Sequence, residues 1–406
     1  MPGSGVIDAG RGTTVEDRVL GALGGARPGP TLMCVAGVHG NEPAGVHAIR
    51  RVLPALRERE PEMTGRLVAL AGNLGALEVG RRYVDRDLNR AWTGARLSSL
   101  RLRPLSESVA EDREQLELLG AIEELLGTTT GAVYALDLHT TSGPGGVFSV
   151  FTDSLPQRDF AATFPVPMIF GLEELVDGTL LNLLSTHGIV SLTLEAGQHG
   201  EPEAIDRAEA AIWIAIVSAG LLPEDRVPEV AAARERLARD SAHVPRALEM
   251  RYKWDLRPED AFLMKPGYRN FQPVARGEAV ATDRAGEILM RESGRLLMPL
   301  YQEQGEDGFF LVREFSTFWM GVSRFLRQSG ASGLAYLLPG VRRVPGTENE
   351  VVVDKRIARF FARQLFHLLG FRQLEDAGHQ LVMRRRRFDE GRYRRGLPRP
   401  RRLGQD

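Results

Sequence analysis

The chain has 406 residues, 43% hydrophobic and 26% charged, enough for a substantial core and more than one domain and unlike a disordered or fibrous chain. No apolar run approaches the roughly 18–20 residues that span a bilayer, and the single cysteine excludes an intrachain disulfide framework and a cysteine-rich zinc site. The formal charge of −1 hides an asymmetry, because residues 351–406 hold 15 Lys and Arg against 6 Asp and Glu, net +9, leaving −10 for the preceding 350.

Ahead of Thr31 the chain is rich in Gly and Pro and predicts only a helix or edge strand around Val15 to Leu23. Neither a basic leader nor an apolar segment precedes Glu16 and Asp17, so a secretory signal is not expected and a reducing, cytoplasmic setting is. TLMCVAG then reads as a buried strand, with Cys34 as a structural thiol, and GNEPAGVHAIRRVLPAL as a turn feeding a helix with Ala44, Ala48, Val52 and Leu56 on one side. RLVALAG, VYALDLH, VFSVF and IVSLTLEAG read as further strands, and helical periodicity fills Ser106 to Leu126 and Glu203 to Ile216. Short apolar strands separated by amphipathic helices predict an α/β fold with a mixed, mostly parallel sheet flanked by helices, with active groups where strands end.

Near Pro223 the character changes. PEDRVPEVAAARERLARD reads as a linker or surface helix, and from about Leu248 the pieces ALEMRYKWDL, EAVAT, GEILM, GRLLMPLY and DGFFLVREF predict a smaller β-rich domain. The segment KRIARFFARQLFHLLGF is expected to be helical, with Ile357, Phe360, Leu365, Leu368 and Leu369 as its packing stripe. The expected division is 1–225 as the α/β domain, 226–245 as the linker or surface helix, 246–345 as the β-rich domain, and 346–406 as a helical segment with a basic tail. That tail, with RRRR at 384–387 followed by RYRRGLPRPRR, has a charge suited to nucleic acid, an anionic membrane or the acidic body of a partner subunit in a homo-oligomer. Its sparse aromatics and the lack of a zinc-finger or glycine-rich nucleotide signature favour a solvated or intramolecularly docked tail over nucleic acid.

The chemistry concentrates in four separated segments. VAGVHGNEPAG puts His39 and Glu42 on a Gly-rich turn after a strand, at a spacing of three that lets both converge on one ion. His139 ends the strand VYALDLHTTSG, at the same expected sheet edge. Two His and one Glu leave a coordination position for water, as catalytic zinc sites do. Asp137, two residues before His139 and so on the same strand face, can hold its imidazole in one tautomer. Glu195 closes the apolar strand of SLTLEAGQHG, where burial of a carboxylate needs compensation, and can act as a general base. His47 and His199 read as local structural residues, with substrate contact as the alternative for each. Between these segments, NLGALEVGRRYVDRDLNRAW alternates Arg81, Arg82, Arg86 and Arg90 with Asp85, Asp87 and Asn89; its guanidinium groups suit either a substrate carboxylate or a salt-bridged surface.

Taken together, GVHGNE, DLHT, DLNR and LEAG, in this order, resemble the motifs of the succinylglutamate desuccinylase and aspartoacylase family, within the zinc carboxypeptidase superfamily. The resemblance covers roughly Thr31 to Ala219, extends in outline to the β-rich region, and does not account for the basic tail. It implies one zinc ion per subunit on His39, Glu42 and His139, and Glu195 as general base and acid. It also implies that Arg82 polarises the scissile carbonyl and that Asn89 and Arg90 bind a carboxylate of a small-molecule substrate. The implied activity is amide hydrolysis of a small N-acyl amino acid or related conjugate, a deacylase acting on bonds other than peptide bonds. One departure is visible: LLSTHGIVSLTLE offers Ser185, Thr186 and His187 where characterised aspartoacylase-like members carry an arginine about ten residues before the catalytic glutamate, so neither acetylaspartate nor succinylglutamate specificity is implied. Arg269 or Tyr268, in KPGYRNFQP, are candidate substitutes. The competing readings are a zinc carboxypeptidase acting on peptides and a non-catalytic binding or scaffold protein using the basic tail.

Overall fold

The computed structural model describes residues 17–386, apart from 103, 105, 106, 348 and 358–361. The apolar runs form the middle of an 11-stranded sheet. Its first half comprises β1 (Val19–Gly24), β2 (Arg27–Ala36), β3 (Thr64–Ala71), β4 (Val133–Thr141), β5 (Phe148–Val150), β6 (Met168–Phe170) and β7 (Val190–Gln198). The spatial order β1-β3-β2-β4-β7-β5-β6 has β3, β2, β4 and β7 mutually parallel, with β1 antiparallel at the edge. Alternation along β2 explains its burial on both faces. Leu32, Cys34 and Ala36 pack with α1 (Ala44–Arg57) and α7 (Pro202–Ser218), while Met33 and Val35 face the cluster containing leucines of α4 (Ala110–Thr128) and α6 (Leu180–Thr186). Cys34 is fully buried and its thiol is pushed up to about 12 by burial, as a structural residue should be. Val109 N–H donates to the Asp112 carboxylate, fixing the start of α4 at Ala110; the expected start, Ser106, lies outside the described residues.

The same sheet continues through β8 (Ala247–Asp255), parallel to β6, and then antiparallel through β14 (Asp307–Glu314), β13 (Gly294–Leu297) and β10 (Pro273–Val274). Between them, β9 (Leu263–Met264), β11 (Ala279–Asp283) and β12 (Gly286–Leu289) form a small antiparallel sheet. The charged stretch after Pro223 contains a helix, α8 (Glu229–Ser241), packed on α7. Three further helices, α2 (Leu74–Val79), α3 (Gly94–Leu102) and α5 (Leu155–Ala162), complete this part.

After Phe315 come α9 (Thr317–Gln328), α10 (Ala362–Leu368) and an antiparallel sheet ordered β15-β16-β18-β17, made of β15 (Val341–Arg343), β16 (Glu350–Asp354), β17 (Phe371–Ala377) and β18 (Gln380–Arg385). Among the described residues, the helix expected from Lys355 onward is confined to α10, which carries Leu365 and Leu368 of the expected stripe. Asp354 accepts from the Arg356 N–H and turns the chain, leaving Ile357 exposed, and Gly370, at φ 86°, ends α10 before Phe371 enters a strand. Phe360 lies outside the described residues. Nor is the RRRR run wholly a tail: Arg384 and Arg385 belong to β18, Arg384 pairs with Glu350, and Arg386 is buried against Glu173 and Glu174. Among the described residues, no helix is long and apolar enough to cross a membrane.

Candidate active site

His39, Glu42 and His139 converge just beyond the carboxyl ends of the parallel strands, where side chains of a doubly wound sheet face a common crevice. The turn after β2 makes this possible by close approach: a Cβ on Gly40 would meet the Ala76 carbonyl at 2.0 Å, so only glycine lets the His39–Glu42 turn sit against α2. His139 comes from β4 and Glu195 from β7, and the parallel register pairs the two directly.

His39 Nδ1 lies 2.8 Å from Glu42 Oε1, and His139 Nδ1 lies 3.0 Å from Glu42 Oε2. The opposite ring nitrogens are also committed. His39 Nε2 is 3.0 Å from Asp87 Oδ1, and His139 Nε2 is 3.1 Å from Asp137 Oδ2. A ring N–H donating to each outer aspartate leaves, in the neutral imidazole, a lone pair on each Nδ1. Two lone pairs then face the two oxygens of one carboxylate, an arrangement that a shared cation resolves. One ligand atom from each of the three residues can be chosen so that all lie within 4.8 Å of one another, and all three residues are buried. The N, N, O donor set with each histidine backed by a carboxylate fits a zinc ion.

Charge is dense around this cluster. Burial alone raises Glu42, but His39 and His139, when protonated in the absence of a metal, outweigh it and hold the carboxyl well below the usual range. Asp87 behaves likewise: burial opposes ionisation, and Arg82 and His39 prevail. Arg82 donates through Nε and one terminal nitrogen to Asp87 Oδ2, at 3.0 and 2.8 Å, while its other terminal nitrogen stands 3.7 Å from Glu42. Burial pushes Glu195 up to about 8; His139 opposes this, and the negative charges of Glu42 and Asp137 add to it. Its Oε2 atom is buried with no hydrogen-bond partner among the described residues.

One pocket joins these groups to Asn89 and Arg90. Asn89 accepts the Leu180 N–H through Oδ1, leaving its amide nitrogen as a donor. Arg90 is tied to Asp307 of β14 at 2.8 Å. Thus His39, Glu42, His139, Glu195, Arg82, Asn89 and Arg90 all line one cavity, with Asp137 behind His139. Sequence reasoning missed Asp87 as the partner of His39, and it left His199 as a local residue. His199 lines the pocket, bonded to Thr140 Oγ1 at 2.7 Å and to Gln302 Oε1 at 3.2 Å. Gln302, which also accepts from Asn41, and Met298 bring the β-rich part over the cavity. The loop holding Tyr268 and Arg269 reaches the hydrolase core through Asn270, which donates to Thr141 Oγ1 and the carbonyls of Gly143 and Gly145. Tyr268 instead donates to Glu278, and neither it nor Arg269 lines the pocket. Ser185, Thr186 and His187 are spent on Ser191 and on the Leu183 carbonyl, also away from the lining.

Comparison with known proteins adds an independent line. Residues 28–215 match the model of the succinylglutamate desuccinylase/aspartoacylase catalytic domain. The succinylglutamate desuccinylase of Erwinia tasmaniensis is 29% identical over 280 residues, covering 64% of this chain and 77% of that protein. That of Paraburkholderia xenovorans is 25% identical over 286 residues, covering 66% and 77%. In three dimensions the chain is similar to a succinylglutamate desuccinylase/aspartoacylase from Rhodobacter sphaeroides, with a TM-score of 0.53 and 21% identity over 73% of this chain and 88% of that one. The domain match and the relatives agree with a buried His, His and Glu cluster built to hold a metal at the strand ends: residues 28–215 are a catalytic domain of the succinylglutamate desuccinylase/aspartoacylase family of zinc-dependent hydrolases.

Proposed function

We propose that the protein hydrolyses the amide bond of a small N-acyl amino acid or related conjugate, with Glu195 as the proton-transferring group. The observation that carries this reading is the Glu195 carboxylate, buried beside His139 with one oxygen unpartnered, facing a pocket that also contains Arg82, Asn89 and Arg90. A zinc ion held by His39, Glu42 and His139 supplies a Lewis acid that makes water a better nucleophile and polarises a carbonyl. Glu195, desolvated by burial, is positioned to take a proton from the attacking water and to return it to the departing nitrogen. Arg82, fixed in orientation by Asp87, presents its remaining guanidinium edge toward the cluster, where it can stabilise negative charge developing on the carbonyl oxygen. Asn89 and Arg90 supply donors for a substrate carboxylate on the same wall. Met298, Leu300 and Gln302 also line the cavity, so the β-rich part borders the site.

Glu195→Gln tests the assignment. The variant should retain zinc and lose hydrolysis of N-acyl amino acids by about 10²–10⁴-fold. Equal hydrolysis by the variant and the parent would rule out Glu195 as the base.

A further inference from the structure

We infer that the substrate of this pocket carries one carboxylate and, as its acyl group or amino-acid side chain, an apolar arm instead of a second acid. The inference rests on the deacylase reading above and deepens it to a substrate class.

The pocket has two chemically distinct parts. Around the metal cluster it is polar. Away from it, Val150, Leu172, Val176, Leu181, Met298 and Phe310 line the same cavity. These are one surface: Val150, Val176, Leu181 and Phe310 belong to a single apolar cluster, with Leu172 and Met298 packed against it. The strand register ties that surface to the chemistry. β5 runs antiparallel to β7 with Phe148 opposite Glu195 and Val150 opposite Thr193. Val150 is therefore the diagonal neighbour of Glu195, roughly 7–8 Å away in such a pair. That is the reach of a short side chain or acyl chain attached to an amide held at Glu195.

Charge argues the same way. Among the described residues lining the pocket, the cationic side chains are Arg82 and Arg90. Arg82 is committed to Asp87, and Arg90 is already shared with Asp307, beside Glu306. Glu306 and Asp307 line the pocket as well, adding negative charge next to Arg90. A second carboxylate placed on the apolar surface would be desolvated without a counter-charge, which is costly. An aliphatic or aromatic group there instead removes apolar surface from water.

The test is a grid of N-acyl amino acids assayed with the zinc-loaded full chain, combining acetyl, hexanoyl or succinyl groups with leucine, phenylalanine, aspartate or glutamate. Compounds with one apolar arm should exceed their acidic counterparts in kcat/KM by about 100-fold. The better arm, acyl or amino-acid side chain, tells which half of the substrate the surface accepts. Leu172→Arg, at a partly exposed wall position, should shift preference toward the acidic compounds. Thermal stabilisation by hexanoate or leucine over succinate or aspartate reads the same preference without turnover. Acidic compounds hydrolysed as well as apolar ones would overturn the inference and leave the deacylase reading standing. Hydrolysis of none of the compounds would reject both.

Discussion

His39 and His139 are each held from behind by an aspartate, but the two aspartates differ in what else they hold. Asp137 serves His139 and accepts from Thr193, at 3.1 and 3.4 Å. Asp87 serves His39, binds Arg82 through its other oxygen, and accepts the Asn89 N–H. Replacing either by Asn removes a charged acceptor behind a metal ligand, and zinc affinity measured by chelator competition should fall about 10–100-fold in both. Only Asp87→Asn also frees Arg82, so it alone should lower kcat further when zinc is saturating; equal kcat values in the two saturated variants would contradict this division. Asp137 was legible in the sequence because a two-residue spacing on a strand fixes a shared face. Asp87 was not, because in RRYVDRDLNR the acids alternate with arginines on an irregular loop where spacing does not say which carboxylate turns inward. His199 escaped for a related reason, since its role depends on Gln302, more than 100 residues away.

The element that bears most weight outside the site is the loop between β6 and α6, whose Leu172 and Val176 face the pocket. It is secured from behind by buried charge. Asp153, at the start of α5, is bound by Arg158 and by Arg327 of α9, whose guanidinium also donates to the His367 and Leu368 carbonyls at the end of α10. Burial alone raises Asp153, but Arg158, Arg327 and Arg386 outweigh it and hold the carboxyl far below the ordinary carboxylate range. The sign follows from linkage. A depressed folded value contributes stability above the unfolded value of ~3.9, and that contribution is lost as pH falls through the folded value. Asp153→Asn should cost about 3–5 kcal/mol near neutrality, because buried arginines lose their counter-charge. In denaturant unfolding followed against pH, the gap to the parent should narrow below pH ~4; a gap independent of pH would refute the account. The parallel strands β2, β3, β4 and β7 were readable because each contains a continuous apolar run, whereas β6, which leads into this loop, has three residues and was not read. The strands of the C-terminal sheet were not: VVVDK is short and half-exposed, and a run of four arginines gives no apolar alternation. Arg384 and Arg386 nevertheless each find a carboxylate, on β16 and on the pocket-wall loop.

Over the whole molecule, the region after Phe315 therefore acts on the pocket through charges it buries. Arg386 donates to Glu173 at 2.7 Å and to Glu174 at 2.9 Å, and His367 stands 3.2 Å from Glu174. Burial keeps Glu173 above the usual carboxyl range, with Glu174 and Asp153 adding to the shift and Arg386 opposing it, so loss of Arg386 removes the opposing cation. Arg386→Met keeps most of the volume and leaves two carboxylates buried beside the wall. It should lower stability by about 3–5 kcal/mol. Because Glu173 adjoins Leu172, the same change should raise KM for an apolar substrate with little effect on kcat, the pattern expected when binding is lost but the metal cluster is untouched. Glu173→Gln added to Arg386→Met removes one of the stranded charges, so the double variant should be more stable than the sum of the single effects predicts and should recover part of the KM. Strict additivity in Tm and KM would mean that Arg386 fixes the C-terminal sheet for reasons of its own. A shared recovery would mean that this basic segment, which the sequence presents as a tail, is the outer support of the substrate pocket.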